Sequence, residues 1–246
     1  MGEFEGKVAL VTGAGRGLGR EVALALASLG VIVAANDINP ILVDETVEQI
    51  RLSGGNARPY VFDIAKRMPV EAMVTQVVDD FNRLDFLVNH AFVDPEAPVL
   101  EMDEWEFHRT LDVNLGGPFF CMQQAGRVMR QLGGGAMVNL VTADHPGEAR
   151  KGHAARIASQ AGLIGMTQVA AAELSAFNIR LNAICYAPPA LKPVDLHPWD
   201  PAALQKWRAG YPNLYLGEHP DLVSLVLFLC SEASPGLSGQ VWSLEQ

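Results

Sequence analysis

The stretch Val8–Gly19, VALVTGAGRGLG, constrains this chain more than any other. Val8–Val11 read as a short buried strand. Thr12 and the glycines Gly13, Gly17 and Gly19 follow, and Arg20–Ala27 reads as a helix. Strand, glycine turn and helix form a way to hold a pyrophosphate. Glycine permits positive φ and close backbone approach, and the helix N-terminus offers free N–H groups and a positive dipole end. An ordinary tight strand–helix turn would use the same glycines. The context favours a nucleotide: a second apolar run, Val31–Ala35, is followed by Asp37. That acid stands roughly 20 residues downstream of the turn, where a dinucleotide fold places its ribose contact.

The chain has 246 residues, 49% of them apolar, which suits one α/β domain with a full core. Its three cysteines, Cys121, Cys185 and Cys230, are odd in number and far apart. They form no metal-site spacing and no disulfide framework, so no metal and a reducing compartment are expected. A net charge of −10 disfavours nucleic acid and anionic membranes as partners. The acidic start Met1–Glu5 runs into the first strand without a signal peptide, and apolar runs such as Leu225–Cys230 are too short to span a bilayer. A cytoplasmic protein is expected.

Strands are expected near 7–12, 31–36, 59–63, 85–89, 136–141, 179–184 and 240–244, and helices near 17–29, 40–53, 69–83, 103–131, 152–176 and 219–231. This alternation predicts a parallel sheet covered on both faces. Asp103 is the expected N-cap of the fourth helix, with Glu106 three residues on. The region 186–218 carries Pro188, Pro189, Pro193, Pro198, Pro201 and Pro212 among Trp199, Trp207, Tyr211 and Tyr215. It reads as a lid or binding loop.

The order of these motifs resembles the short-chain dehydrogenase/reductase family over essentially the whole chain. Thr12–Gly19, including Arg16 and Leu18, matches its TGxxxGxG signature. Asp63, taken to end the third strand, and Ile64 after it fall where the family contacts adenine. Asp85–Asn89 matches the strand leading into its NNAG motif, Asn114 matches its helix asparagine, and Ser238–Val241 resembles its C-terminal strand entry. The resemblance implies a single doubly wound Rossmann domain over residues 1–246, with a seven-stranded parallel sheet. It also implies a dinucleotide held by Gly13, Arg16, Gly17, Leu18, Gly19, Asp37, Asp63, Ile64 and Asn89. The Asp37 carboxylate would accept from a 2′-hydroxyl and repel a 2′-phosphate, favouring NAD over NADP. Arg16 offsets that preference slightly.

The chemical centre departs from the family. Its tyrosine, which handles the proton at the carbinol oxygen, and its lysine, four residues on, align with Arg156 and Gln160; its serine aligns with Thr142. Thr142 keeps a hydroxyl. Arg156 stays protonated at neutral pH, and Gln160 has no charge to lower a neighbour's pKa. Asn89-His90-Ala91-Phe92 replaces NNAG, and Tyr186-Ala187-Pro188-Pro189 replaces a compact turn, both on the nicotinamide side. Asn114 is read as bridging a helix kink. His145, after Asp144, and His153 are candidate substitute bases. Arg156 is left open between binding a ligand's anion and pairing with Glu148 or a partner's acid.

These readings lead to the expectation of an oxidoreductase-like subunit without redox chemistry of its own, assembled in a homo- or hetero-oligomer, with an active paralogue as the expected companion. The alternatives are an active NAD-dependent alcohol/ketone oxidoreductase with an atypical centre, and a nucleotide or small-molecule sensor. Small residues at Ala154, Ala158, Ala161, Gly162 and Gly165 fit plain packing on the sheet. In the resembling family this helix lies in the main dimer interface, and that reading is preferred.

Overall fold

The computed structural model describes residues 2–142, 150–186, 210 and 219–243. Seven strands form one parallel sheet in the order β3-β2-β1-β4-β5-β6-β7. They are β1 (Val8–Thr12), β2 (Ile32–Asn36), β3 (Asn56–Tyr60), β4 (Phe86–Asn89), β5 (Gly135–Thr142), β6 (Ile179–Tyr186) and β7 (Val241–Ser243). Helices α1 (Gly17–Ser28), α2 (Pro40–Leu52) and α7 (Pro220–Cys230) pack on one face. Helices α3 (Arg67–Phe81), α5 (Gly117–Leu132) and part of α6 (Ala154–Leu174) cover the other. Alternate β1 residues supply the two cores, Ala9 and Val11 to one and Val8 and Leu10 to the other. This period-two split is why the strand is apolar throughout. The strand order reverses where β1 lies between β2 and β4, and such a switch point opens a crevice at the strands' carboxyl ends.

Two expected elements are corrected. The third strand ends at Tyr60, so Asp63 and Ile64 lie beyond it in a loop. The cause is Asn36, the last residue of β2. Its side-chain amide donates to the carbonyls of Tyr60 (2.9 Å) and Phe62 (3.0 Å), so side-chain bonds take over where the ladder stops. The run expected as one helix over 103–131 is instead α4 (Glu104–Leu111), a π-helical turn (Asp112–Gly116) and α5. Asn114 sits in that wider turn. Asp103 caps α4, its carboxylate accepting from Glu106 N at 2.7 Å.

The three cysteines are buried and free, and burial pushes each thiol up to about 12. Among the described residues, no helix is long and apolar enough to cross a membrane.

Candidate functional site

The turn after β1 and the loop after β4 meet at the switch point. Thr12 Oγ1 accepts from the backbone N–H of His90 (3.1 Å) and of Ala91 (3.3 Å). Gly13 has φ +67°, and a Cβ there would stand 2.8 Å from Ala91 Cα. At Gly19 a Cβ would land on the Gly13 carbonyl oxygen. Glycine is therefore required by backbone meeting backbone. His90 seals this junction, with Nδ1 at 3.2 Å from the Gly13 carbonyl, so Nδ1 carries the proton and donates. Burial holds the imidazole down at about 4, against the opposing effects of the Gly13 bond and Asp37. It is neutral at physiological pH. Behind the turn, Thr46 donates to Ala14 O (3.0 Å), and Arg20 Nε donates to Gly15 O (3.0 Å).

A cavity of about 310 Å³ opens in front of the turn, lined by Gly13, Arg16, Asp37, Asp63, Ile64, Phe92 and Arg109, among others. Asp37 braces the turn as well as lining the cavity: Oδ2 accepts from Gly15 N and Oδ1 from Asn39 N, both at 3.0 Å. Asp63 Oδ1 accepts from Ala65 N (3.0 Å), and Arg109 Nη1 approaches Asp63 Oδ2 at 3.1 Å. Gly17, Leu18 and Gly19 stand behind the lining, at the start of α1. A glycine cradle that a Cβ would fill, an acid after β2 and a second acid after β3 fit the adenosine and pyrophosphate portions of a dinucleotide. Asn89 is different. Its side chain turns inward and donates to Asn139 Oδ1 (2.8 Å), which fixes β4 to β5 rather than lining the cavity.

The second group gathers between the end of β5, α6 and the loop after β4. Gln160 Oε1 accepts from Thr142 N at 3.0 Å. Thr142 is 3% exposed, and among the described residues its Oγ1 has no hydrogen-bond partner. Arg156 is 2% exposed, with Nε 3.1 Å from Asp94 Oδ2. The other oxygen of Asp94 takes His153 Nδ1 at 2.8 Å. Arg156 and Gln160 share one face of α6, one turn apart, and His153 stands at its N-terminal boundary. Asn114 clamps the intervening loop, accepting from Val93 N and donating to Val93 O, both at 2.8 Å. It also donates to Ser159 Oγ at 3.3 Å. Asp94 and Arg109 were missed from the sequence. Asp94 lies in an irregular stretch with no period to place it. Arg109 reads as one more charge on an exposed helix. His145, Asp144, Glu148 and the turn beyond Tyr186, with the expected lid, lie outside the described residues.

A family model described as Enoyl-(Acyl carrier protein) reductase matches residues 13–245. An uncharacterized oxidoreductase of Thermotoga maritima is 33% identical over 98% of this chain and 97% of its own length. D-threitol dehydrogenase of Mycolicibacterium smegmatis is 32% identical over 96% of this chain and 90% of its own. The crystal structure of an NAD⁺-bound xylitol dehydrogenase superposes with a TM-score of 0.80, at 28% identity, covering 98% of both chains. These relatives overturn the expectation of a subunit without redox chemistry, because the likeness to oxidoreductases spans nearly the full length. That expectation weighed local departures: Arg156 and Gln160 above all, with Phe92 and the Tyr186–Pro189 turn. It gave too little weight to a fold shared with oxidoreductases over nearly the whole chain. By its motifs, its sheet and these relatives, the chain belongs to the short-chain dehydrogenase/reductase family of oxidoreductases.

Proposed function

We propose that this chain is an active NAD(H)-dependent oxidoreductase of alcohol and carbonyl substrates, with a proton-handling centre unlike the family's tyrosine–lysine pair. The observation that carries this reading is the buried Thr142 hydroxyl, whose Oγ1 has no hydrogen-bond partner among the described residues. Leaving such a group unmatched costs roughly 1–3 kcal/mol, which a substrate oxygen at that position would recover. The cavity at the glycine turn supports a dinucleotide, and Asp37 supports NAD(H) over NADP(H). Bound there, the nicotinamide would accept or supply the hydride.

The chain's own residues then have separable tasks. Thr142 Oγ1 donates to the substrate oxygen, and Gln160 fixes the backbone that carries it. His153 carries the proton. Asp94 holds its Nδ1, so Nε2 takes the hydroxyl proton as the alcohol's C–H bond breaks, and returns it when a carbonyl is reduced. Arg156 cannot exchange a proton, but its fixed charge favours the developing alkoxide, moderated by Asp94.

The exposed stripe of Ala154, Ala158, Ala161 and Gly165 on α6 supports association with a second copy of the chain. The buried free thiols suit a reducing, cytoplasmic setting.

The test is steady-state turnover of the purified chain on a panel of secondary alcohols and ketones, with NADH binding followed by fluorescence. The expected result is saturable NADH binding and turnover with at least one substrate at about 1 s⁻¹ or faster. Absence of both overturns the proposal.

A further inference from the structure

We infer that Phe92 is a specificity-determining residue: its ring stands at the border between the ligand cavity and the proton-handling group, and it must swing aside for the nicotinamide end of a dinucleotide to pass, whereas ADP binds without that movement. The inference rests on the NAD(H) reading of the cavity. From the loop after β4 the cavity is lined by His90, Ala91, Phe92 and Val93. The next residue, Asp94, belongs to the second group, where it meets His153 and Arg156. Among the described residues, no side chain of that group lines the cavity. The border between the two ends of the cleft therefore falls beside Phe92.

The main chain is pinned on both sides of this border. Thr12 Oγ1 accepts from the N–H groups of His90 and Ala91, and Asn114 holds Val93 through both its N–H and its carbonyl. Only the Phe92 side chain is left to move. Its ring meets the His90 ring nearly edge to face, with 6.1 Å between centroids and 80° between planes. His90 is itself fixed on the Gly13 carbonyl, so it supports the ring from one side. Phe92 is 38% exposed, so the rest of the ring stands in the cleft rather than in a core. The motif that this stretch resembles has glycine here, which would leave the passage free.

A dinucleotide that reaches from the glycine turn to Thr142 has to cross the border. With the main chain held, room comes only from turning Phe92 about its side-chain torsions and out of its contact with His90. Giving up one preferred rotamer and one ring contact is worth about a factor of ten in affinity. A ligand that needs such a minor conformer binds more weakly by the fraction in which that conformer is populated. ADP ends at the pyrophosphate, on the glycine-turn side, and does not need it.

The experiment measures dissociation constants for NADH and ADP by calorimetry on the full chain, for the wild type, Phe92→Ala and Phe92→Leu. Phe92→Ala is expected to tighten NADH by about tenfold and to leave ADP within about twofold. The ADP value also reports whether the glycine turn survives the change. Phe92→Leu keeps an apolar branch in the passage and should tighten NADH by less than Phe92→Ala does. Weaker NADH binding in Phe92→Ala would make the ring a contact for the ligand rather than an obstacle, and would overturn the inference. An unchanged NADH affinity, or an equal shift of both ligands, would overturn it as well. Binding of neither ligand by the wild type would overturn the reading of the cavity, and this inference with it.

Discussion

The two ends of the cleft are built from different materials. At β1, β2 and β3 the site is largely backbone: a glycine turn braced by Asp37, which lines the cavity together with Asp63. At β5 and α6 it is mostly side chain: Asp94 ties His153 to Arg156, and the Gln160 side chain holds the Thr142 backbone N–H. A backbone site tolerates little substitution, because a Cβ at Gly13 or Gly19 strikes main chain. A side-chain site can change its chemistry while helix, sheet and register stay in place.

The largest expected effect tests the second end directly. His153→Asn should lower kcat by roughly 10²–10⁴, the usual share of a positioned acid–base group, with NADH affinity unchanged. A variant with wild-type kcat would take the proton away from His153. Thr142→Val comes next, with an expected loss of about 10²–10³ in kcat, the cost of deleting a donor to a developing oxyanion. Thr142→Ser should retain most activity, because it keeps the hydroxyl. If valine and serine variants turn over alike, the orphan hydroxyl has no part in the reaction.

How legible each end was follows from the same contrast. The parallel sheet, its switch point and the glycine turn could be read because apolar runs, glycine spacing and strand–helix alternation are local signals. The π-helical turn at Asn114 was visible only as a suspected kink, since one extra residue in a helical turn barely disturbs an apolar pattern. The end of β3 was misplaced because it depends on the Asn36 side chain reaching across to Tyr60 and Phe62, a contact between residues far apart in sequence. Asp94 was missed for the same reason: its value comes from the α6 residues it faces, some sixty positions away. The sequence singled out Arg156 and offered Glu148 or a partner's acid to pair with it; the described residues bring Asp94 to it.

A smaller effect tests how firmly the backbone end is sealed. His90 is held neutral, at about 4 against an ordinary 6.5, with burial as the main cause. Below pH 6.5 the unfolded chain binds a proton that the native imidazole refuses, so stability falls as pH drops from about 6.5 towards 4. It is restored as pH rises through that window. The shift sets an upper limit of about 3 kcal/mol on this contribution. Carboxylates titrate in the same range, so the measurement is a difference. Urea unfolding of the wild type and His90→Asn between pH 4.5 and 7.5 should give stability curves that converge at the acid end and diverge towards neutrality. Parallel curves would mean that the junction is not sealed by a neutral imidazole.

The smallest expected effect separates two tasks that the backbone end assigns to one residue. Asp37 accepts from Gly15 N and Asn39 N, and it also faces the cavity. Bracing requires an acceptor, whereas rejection of a 2′-phosphate requires a negative charge. Asp37→Asn keeps one acceptor oxygen and removes the charge, so it should raise NADPH affinity by about tenfold, on the scale of one charge–charge contact near a surface. It should lower NADH affinity only slightly. Asp37→Ala removes both acceptors and should loosen the turn, weakening NADH while the gap between the two ligands narrows. Dissociation constants for NADH and NADPH at low and high salt complete the test, because a charge effect shrinks with ionic strength and a bracing effect does not. If Asn and Ala both weaken the two ligands to the same extent, Asp37 only holds the glycine turn, and any preference for NADH over NADPH must come from another residue.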